Sequence, residues 1–317
     1  MIRPGDSTVG EGYATLPSVG GYRLLRLLDR GGMSEVYLSY DETCQCHVAV
    51  KLLAEHLAHA PQYVARFYRE ARLARLLSHP HLVRGLNAGH DPQVRRHYLV
   101  LEYVAGPTAF ALLQREQRLP PGIVVQIGID IAQALAYLHE RQYIHRDVKP
   151  DNILLHPQQG AKLADLGVAR RLHEDTDQTG LHEAVGTSHY MSYEQGLHAD
   201  WVDGRSDLHA LGATLYHLLT GEVPFAGKTH EEIMQVKRQD AFRPLRQVWP
   251  QAPRALAEII ESTLWSDPRR RPASARELAQ ALQATGLAQP IAATLAWDLD
   301  APASADQPTR ADHPVTP

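Results

Sequence analysis

The segment HRDVKPDN, residues 145–152, brings a carboxylate, a lysine and a carboxamide into one short Pro-containing loop. Asp147 has the chemistry to orient or deprotonate a hydroxyl. Lys149 can neutralise a phosphoryl group in transfer, and the side-chain oxygen of Asn152 can ligate Mg²⁺, which favours oxygen ligands. Downstream, KLADLG (162–167) reads as an apolar strand delivering Asp165 to a loop that Gly167 keeps free in its backbone. Asp165 and Asn152 could share a metal that bridges nucleotide phosphates. A third element lies upstream. In VAVK (48–51) strand alternation puts Lys51 on the same face as Ala49. A charged head on a half-buried strand needs a partner, and Glu70 on the following helical stretch is the natural candidate.

These residues need a scaffold, and the apolar pattern supplies one. Short β-type runs with turn residues between them occupy 22–28, 35–40, 47–53 and 97–104. Helical periodicity covers 61–77, with Val64, Phe67, Ala71, Leu73 and Leu77 on one stripe. Helices then dominate, over 121–141, 205–219, 253–264 and 275–283. A small β-rich lobe therefore precedes a larger helical one, an α+β arrangement.

The 317 residues are 44% hydrophobic and 21% charged, ordinary globular values that exclude a disordered chain, a collagen or a long coiled coil. The net charge of -4 gives no bulk basic field for nucleic acid or an anionic membrane. Residues 1–20 read as a flexible polar arm, 21–286 as the folded zone and 287–317 as a disordered tail. After Pro290 the tail holds an apolar island, Ile291, Leu295 and Leu299, with Trp297 nearby, suited to docking or to a partner. No run reaches the length of a membrane helix; the best candidate, 123–138, carries Gln126, Asp130 and Gln133. The start MIRPGDSTVGEG lacks the apolar core of a signal peptide. The two cysteines form a lone CxC, Cys44 and Cys46, too few for a disulfide scaffold, and are expected as strand or turn thiols. No membrane insertion and a cytoplasmic location are the expectations.

Taken together, LDRGGMSEV (28–36), Lys51, Glu70, His145-Arg146-Asp147, Asn152, Asp165-Leu166-Gly167, SYE (192–194) and Arg271 resemble the signature set of the eukaryotic-like (Hanks-type) bacterial Ser/Thr protein kinases, in uninterrupted order over about 21–286. The resemblance implies a two-lobed protein-kinase-like fold. Its first lobe, about 21–103, would be a small antiparallel sheet with one main helix; its second, about 104–286, would be mostly helical. It implies ATP and Mg²⁺ (Mn²⁺ as the alternative ion), and transfer of the γ-phosphoryl group to Ser/Thr hydroxyls of protein substrates. Lys51 would contact the α- and β-phosphates and pair with Glu70. Leu28, Val36, Ala49 and Leu154 would sandwich the adenine, with Leu101 as gatekeeper and backbone groups from Glu102 to Val104 on the adenine edge. Asp147 would orient the substrate hydroxyl, Lys149 would approach the γ-phosphate, and Asn152 and Asp165 would hold the metal. Asp207 would anchor the catalytic-loop backbone, and Glu194 would pair with Arg271. Pairing of two copies through the small lobe is one assembly mode that the family suggests.

The chain departs from that pattern at three places. Against GxGxxGxV it carries Asp29, Gly31, Ser34 and Val36, with Gly32 beside the surviving glycine. Non-glycine residues at awkward dihedrals would cost on the order of 1 kcal/mol, and a carboxylate at Asp29 would repel a polyphosphate. DLG replaces DFG, and SYE replaces APE with Tyr193 in place of the proline. Arg146 beside Asp147 suggests a phosphate pocket filled from the activation segment, about 165–194, where Thr176 or Thr179 would be autophosphorylated. Thr187 would contact Asp147 or Lys149 and help admit a Ser/Thr substrate. The alternatives are a pseudokinase scaffold, motivated by the glycine-poor loop, and a small-molecule kinase.

Overall fold

A computed structural model describes residues 18–167, 169–171, 185–197 and 202–293. The chain packs as two units. Of the described residues, the first takes those up to Ala65 together with Leu86–Tyr103; the second takes Arg66–Gly85 and those from Val104 on.

The first unit is one antiparallel sheet. Its strands are β1 (Ser18–Val19), β2 (Tyr22–Arg30), β3 (Ser34–Asp41), β4 (Cys46–Leu53), β5 (Gly85–Asp91) and β6 (Arg96–Glu102), in the order β1-β2-β3-β4-β6-β5. Of these, β2, β3, β4 and β6 begin and end within about two residues of where the alternation places them; β1 and β5 are not expected from it. Register divides the side chains by face. Val36 pairs with Lys51 and Asp29, Lys51 with Leu99, and Ala49 with Leu101, so these residues share one face. The opposite face buries Leu24, Val48, Val50, Leu52 and Val100 with Val19, under Tyr22, Tyr37 and Tyr98.

The turn from β3 to β4 corrects one expectation. Cys44 and Cys46 are joined in a disulfide rather than standing as thiols. Asp41 accepts from the Thr43 N–H at 2.8 Å, and Gln45 takes φ 52. This turn brings the two Cα atoms to 5.3 Å, inside the bridging range.

The second unit claims more of the early chain than the expected boundary at 103 allows. Helix α1 (Pro61–Leu76) begins in the first unit, but Arg66–Gly85 packs with the second. The reason lies in the hydrogen bonds that follow the helix. Val83 N donates to Leu163 O and Leu163 N to His81 O, both at 2.9 Å, and Ser78 N donates to the Tyr137 hydroxyl at 3.1 Å. The remaining elements are α2 (Ala109–Glu116), α3 (Pro121–Glu140), β7 (Tyr143–Ile144), β8 (Ile153–His156), β9 (Gly160–Leu163), β10 (Arg170–Arg171), α4 (Val185–Ser188), α5 (Tyr193–Leu197), α6 (Gly204–Thr220), α7 (His230–Arg238), α8 (Leu245–Val248), α9 (Arg254–Thr263) and α10 (Ala275–Ala284).

Among the described residues α3 is the one helix long and apolar enough to span a membrane by composition. Here it is the central core helix, with Ile123, Ile127, Ile131, Leu135 and Leu138 fully buried. Helix α6 is similarly enclosed. Asp203 caps it, its side chain accepting from Arg205 N at 2.7 Å, and Gly221 at φ 76 closes it in the left-handed conformation that glycine tolerates. Order continues past residue 286. Gln289 N donates to Gly122 O at 3.0 Å, and Ile291 is buried. Leu295, Trp297 and Leu299 lie outside the described residues.

Candidate active site

Register gathers Asp29, Val36, Ala49, Lys51 and Leu101 on one sheet face of the first unit. Ala49 is buried, while Lys51, Val36, Leu28, Leu101 and Glu102 are half-buried. Gly31 and Gly32 form the β2–β3 turn, closed by Gly31 N donating to Ser34 O at 2.9 Å. The expected strain at Asp29 and Ser34 is absent. Both are strand residues, paired with Val36 and Leu53, and neither has positive φ.

In the second unit the loop after β7 concentrates the polar chemistry. Lys149 Nζ donates to both carboxylate oxygens of Asp147, at 2.9 and 2.7 Å. It also reaches the Thr187 hydroxyl at 3.4 Å. Asn152 Nδ2 donates to the Asp147 carbonyl at 2.8 Å and to Asp147 Oδ2 at 2.9 Å. Both partners are acceptors, so the amide nitrogen must face Asp147, and the amide oxygen is the other polar end of the side chain.

The backbone of this loop is held from beneath. Asp207 on α6 accepts from His145 N at 2.9 Å and from Arg146 N at 2.8 Å, one with each carboxylate oxygen. His139 Nε2 donates to Asp207 Oδ2 at 2.8 Å. Burial alone would raise the Asp207 carboxyl. The hydrogen bond and charge of His139, with the charge of His145, outweigh burial and hold it below the ordinary carboxylate range. Gln195 Nε2 donates to Arg146 O at 2.7 Å, so Arg146 is fixed on both sides of its φ of 68.

Asp165 is placed by its neighbour. Ala164 N donates to Asn152 O at 2.8 Å, and His145 Nε2 donates to Ala164 O at 3.1 Å. Asp165 then turns through φ 64, and its Oδ1 accepts from Gly167 N at 3.0 Å. Glu70 is buried in α1, and a Cβ on Gly167 would stand 3.1 Å from Glu70 Oε2 and 2.8 Å from Asp165 Oδ1, so a larger residue here would have to displace the Asp165 carboxylate. Asn152 and Asp165 thus offer one amide and one carboxylate oxygen, a donor set suited to a hard divalent cation. Leu154, half-buried on β8, and Val104, buried, belong to the same unit.

Glu194 and Arg271 form a buried fork. Arg271 Nη1 and Nη2 donate to the two Glu194 oxygens at 2.7 and 2.8 Å. Its other three N–H groups meet the carbonyls of Trp265 (2.7 Å), Arg205 (3.1 Å) and Ser266 (3.1 Å). All five guanidinium donors are used. Ser206 adds a 2.6 Å bond to Glu194 Oε1. Burial raises the Glu194 carboxyl, but Arg271 and Ser206 together pull it below its ordinary value.

Thr176 and Thr179 lie outside the described residues. Sequence reasoning missed His139, Gln195 and Ser206, each of which supports a residue it had singled out. No spacing marks them, because their partners are remote in the chain.

The family model described as "Protein kinase domain" matches residues 22–284. The probable serine/threonine-protein kinase SCO3848 of Streptomyces coelicolor is 37% identical over 288 residues, 87% of this chain and 42% of the relative. PknB of Mycobacterium leprae is 39% identical over 226 residues, 70% of this chain and 36% of the relative. PrkC of Bacillus subtilis is 34% identical over 260 residues, 82% of this chain and 39% of the relative. The chain spans about two-fifths of the length of these relatives. The crystal structure of a mutant of the Mycobacterium tuberculosis PknI kinase domain superposes with a TM-score of 0.66 at 28% identity, covering 87% of this chain and 100% of that one. With a family match over nearly all of the described chain, and relatives that are bacterial serine/threonine kinases, the chain belongs to the protein kinase domain family.

Proposed function

We propose that this chain is an ATP-dependent protein Ser/Thr kinase. The observation that carries the reading is Lys149 held between the Asp147 carboxylate and the Thr187 hydroxyl. Asp147 orients the substrate Ser or Thr hydroxyl and takes its proton. The hydroxyl oxygen bonds to the γ-phosphorus, the bond from that phosphorus to the β–γ bridging oxygen breaks, and ADP leaves. Lys149 offsets the negative charge on the transferring group. Asn152 and Asp165 would hold Mg²⁺, or Mn²⁺ in its place, which neutralises phosphate charge when bound. Lys51 and the face it shares with Val36, Ala49 and Leu101 would receive the nucleotide, with Leu28, Glu102, Val104 and Leu154 completing the adenine contacts.

Autophosphorylation at Thr176 or Thr179, with Arg146 as the phosphate partner, is part of this reading. So is a cytoplasmic location, where ATP is supplied. The test is phosphate transfer from labelled ATP with Mg²⁺, to the chain itself and to a generic basic protein, by wild type and Asp147→Asn, with an EDTA control. Label on Ser/Thr in the wild type alone, lost in EDTA, supports the kinase. No label, with nucleotide still raising the melting temperature, would favour a pseudokinase scaffold instead.

A further inference from the structure

Helix α7 turns one side toward the segment that joins Thr187 to Glu194. His230, Met234 and Lys237 recur at helical spacing on that side. His230 Nδ1 and the buried Ser188 hydroxyl are 2.8 Å apart. Met234 lies against Gly196, where an added Cβ would fall 2.6 Å from the sulfur. Lys237, only 1% exposed, donates from Nζ to His189 O at 3.1 Å and to Met191 O, above the Phe225 ring at 4.9 Å.

A methionine would fill the same volume without desolvating an amine. Burying one is unfavourable unless its hydrogens are used, so the two carbonyl bonds are what lysine contributes here. Burial, and then the Arg271 charge, hold the amine well below the ordinary lysine range.

The two acceptors flank Tyr190, so the bridge fixes that residue from one side. Helix α6 fixes it from the other. His209 Nδ1 donates to Tyr190 O at 3.2 Å, and His217 Nδ1 bonds the Tyr190 hydroxyl at 2.7 Å. The segment starts at Thr187, beside Lys149, and ends at Glu194, on Arg271.

We infer that Lys237 is a positioning residue for protein substrate: by bridging the carbonyls of His189 and Met191 it holds the Thr187–Glu194 segment where a substrate chain is presented to Asp147. This rests on the kinase reading. The residue touches neither phosphate nor hydroxyl, so its loss falls on the protein substrate and not on ATP.

The experiment compares wild type, Lys237→Met and His230→Ala, with a basic protein that the wild type phosphorylates. Lys237→Met is expected to raise the protein-substrate KM roughly 10-fold, as for loss of about one to two hydrogen bonds, and to leave the ATP KM within about two-fold. Hydrogen exchange of amides 187–196 should accelerate while α3 stays protected. His230→Ala, on the half-exposed end of the same side, should move both readouts in the same direction and carries the test if Lys237→Met does not fold. Unchanged protein-substrate KM and exchange in an active variant would overturn the inference. So would a parallel loss in ATP KM, kcat and melting temperature, which marks a global scaffold role. A wild type that transfers no phosphate overturns the kinase reading itself, and the docking role with it.

Discussion

The Asp207 carboxylate accepts the Arg146 N–H at 2.8 Å while Arg146 sits at φ 68, so a fully buried charge on α6 holds a non-glycine residue in the left-handed region. Asp207→Asn removes the charge and sets an NH₂ against one of its donors. We expect about 1.5–3 kcal/mol less unfolding free energy at pH 7 and a loss of transfer as the loop relaxes. The Asp207 carboxyl is held below its ordinary value. Its contribution is therefore present above the unfolded value of about 3.9 and is lost as pH falls from there through the folded value. Urea unfolding between pH 7 and pH 3 should show this acid-side loss in the wild type and a shallower one in Asp207→Asn.

Arg271→Met leaves Glu194 buried without its fork. Removing one partner of such a pair costs about 3–5 kcal/mol, which for a domain of this size lowers Tm by roughly 10 °C. Replacing both residues, Glu194→Gln with Arg271→Met, should recover part of the loss, because no unpaired charge remains. Calorimetry of the two variants checks the order; a double variant no more stable than the single would contradict it.

Thr187→Val keeps the shape and deletes the hydroxyl that Lys149 reaches at 3.4 Å. The bond is long, so the expected loss is about 0.5–1.5 kcal/mol, a two- to ten-fold fall in kcat at unchanged ATP KM. Thr187→Ser should stay near wild type. Steady-state kinetics on one protein substrate distinguish these outcomes.

His217 is pushed down from 6.5 to about 4, by burial first and then by the His189 charge. A histidine kept neutral in the fold contributes stability above the unfolded value, which is lost as pH falls from 6.5 toward the folded value near 4. At about 1.4 kcal/mol per pH unit, it should account for about 2 kcal/mol of the stability lost between roughly pH 6.5 and pH 5. His217→Gln should remove that share of the pH dependence. Unfolding free energies measured at both pH values, showing equal slopes for variant and wild type, would count against the assignment.

Asp29 is exposed at the end of β2 and unstrained, so under the proposed kinase reading its effect on nucleotide binding is expected to be electrostatic. Asp29→Gly should lower the ATP KM, by a few-fold at low salt and less at high salt, where the charge is screened. A KM that rises, or that falls equally at all salt concentrations, would point to backbone geometry instead.

Much of this protein is written in local pattern. Alternation of period two marks β2, β3, β4 and β6 to within about two residues, and the 3.6-residue stripe marks α1, because each repeat reflects which side chains one element can bury. The order of Lys51, Asp147, Asn152 and Asp165 carries the family resemblance, because each stands inside a short motif that is read without knowing the fold. Partner choice is a different matter. The resemblance pairs Arg271 with Glu194, but nothing in the local pattern marks the carbonyls of Trp265, Arg205 and Ser266 as its further acceptors, and nothing near Lys237 points to the carbonyls of His189 and Met191. The same holds for His139 beneath the loop that starts at His145 and for the packing of Arg66–Gly85 with the second unit. The β3–β4 turn shows it on a smaller scale: two cysteines in a CxC read as thiols until the turn brings them within bridging distance. A buried polar group must find a partner somewhere, but periodicity carries no information about where. Only the packing of α6 and α7 around the Thr187–Glu194 segment decides which donors reach it.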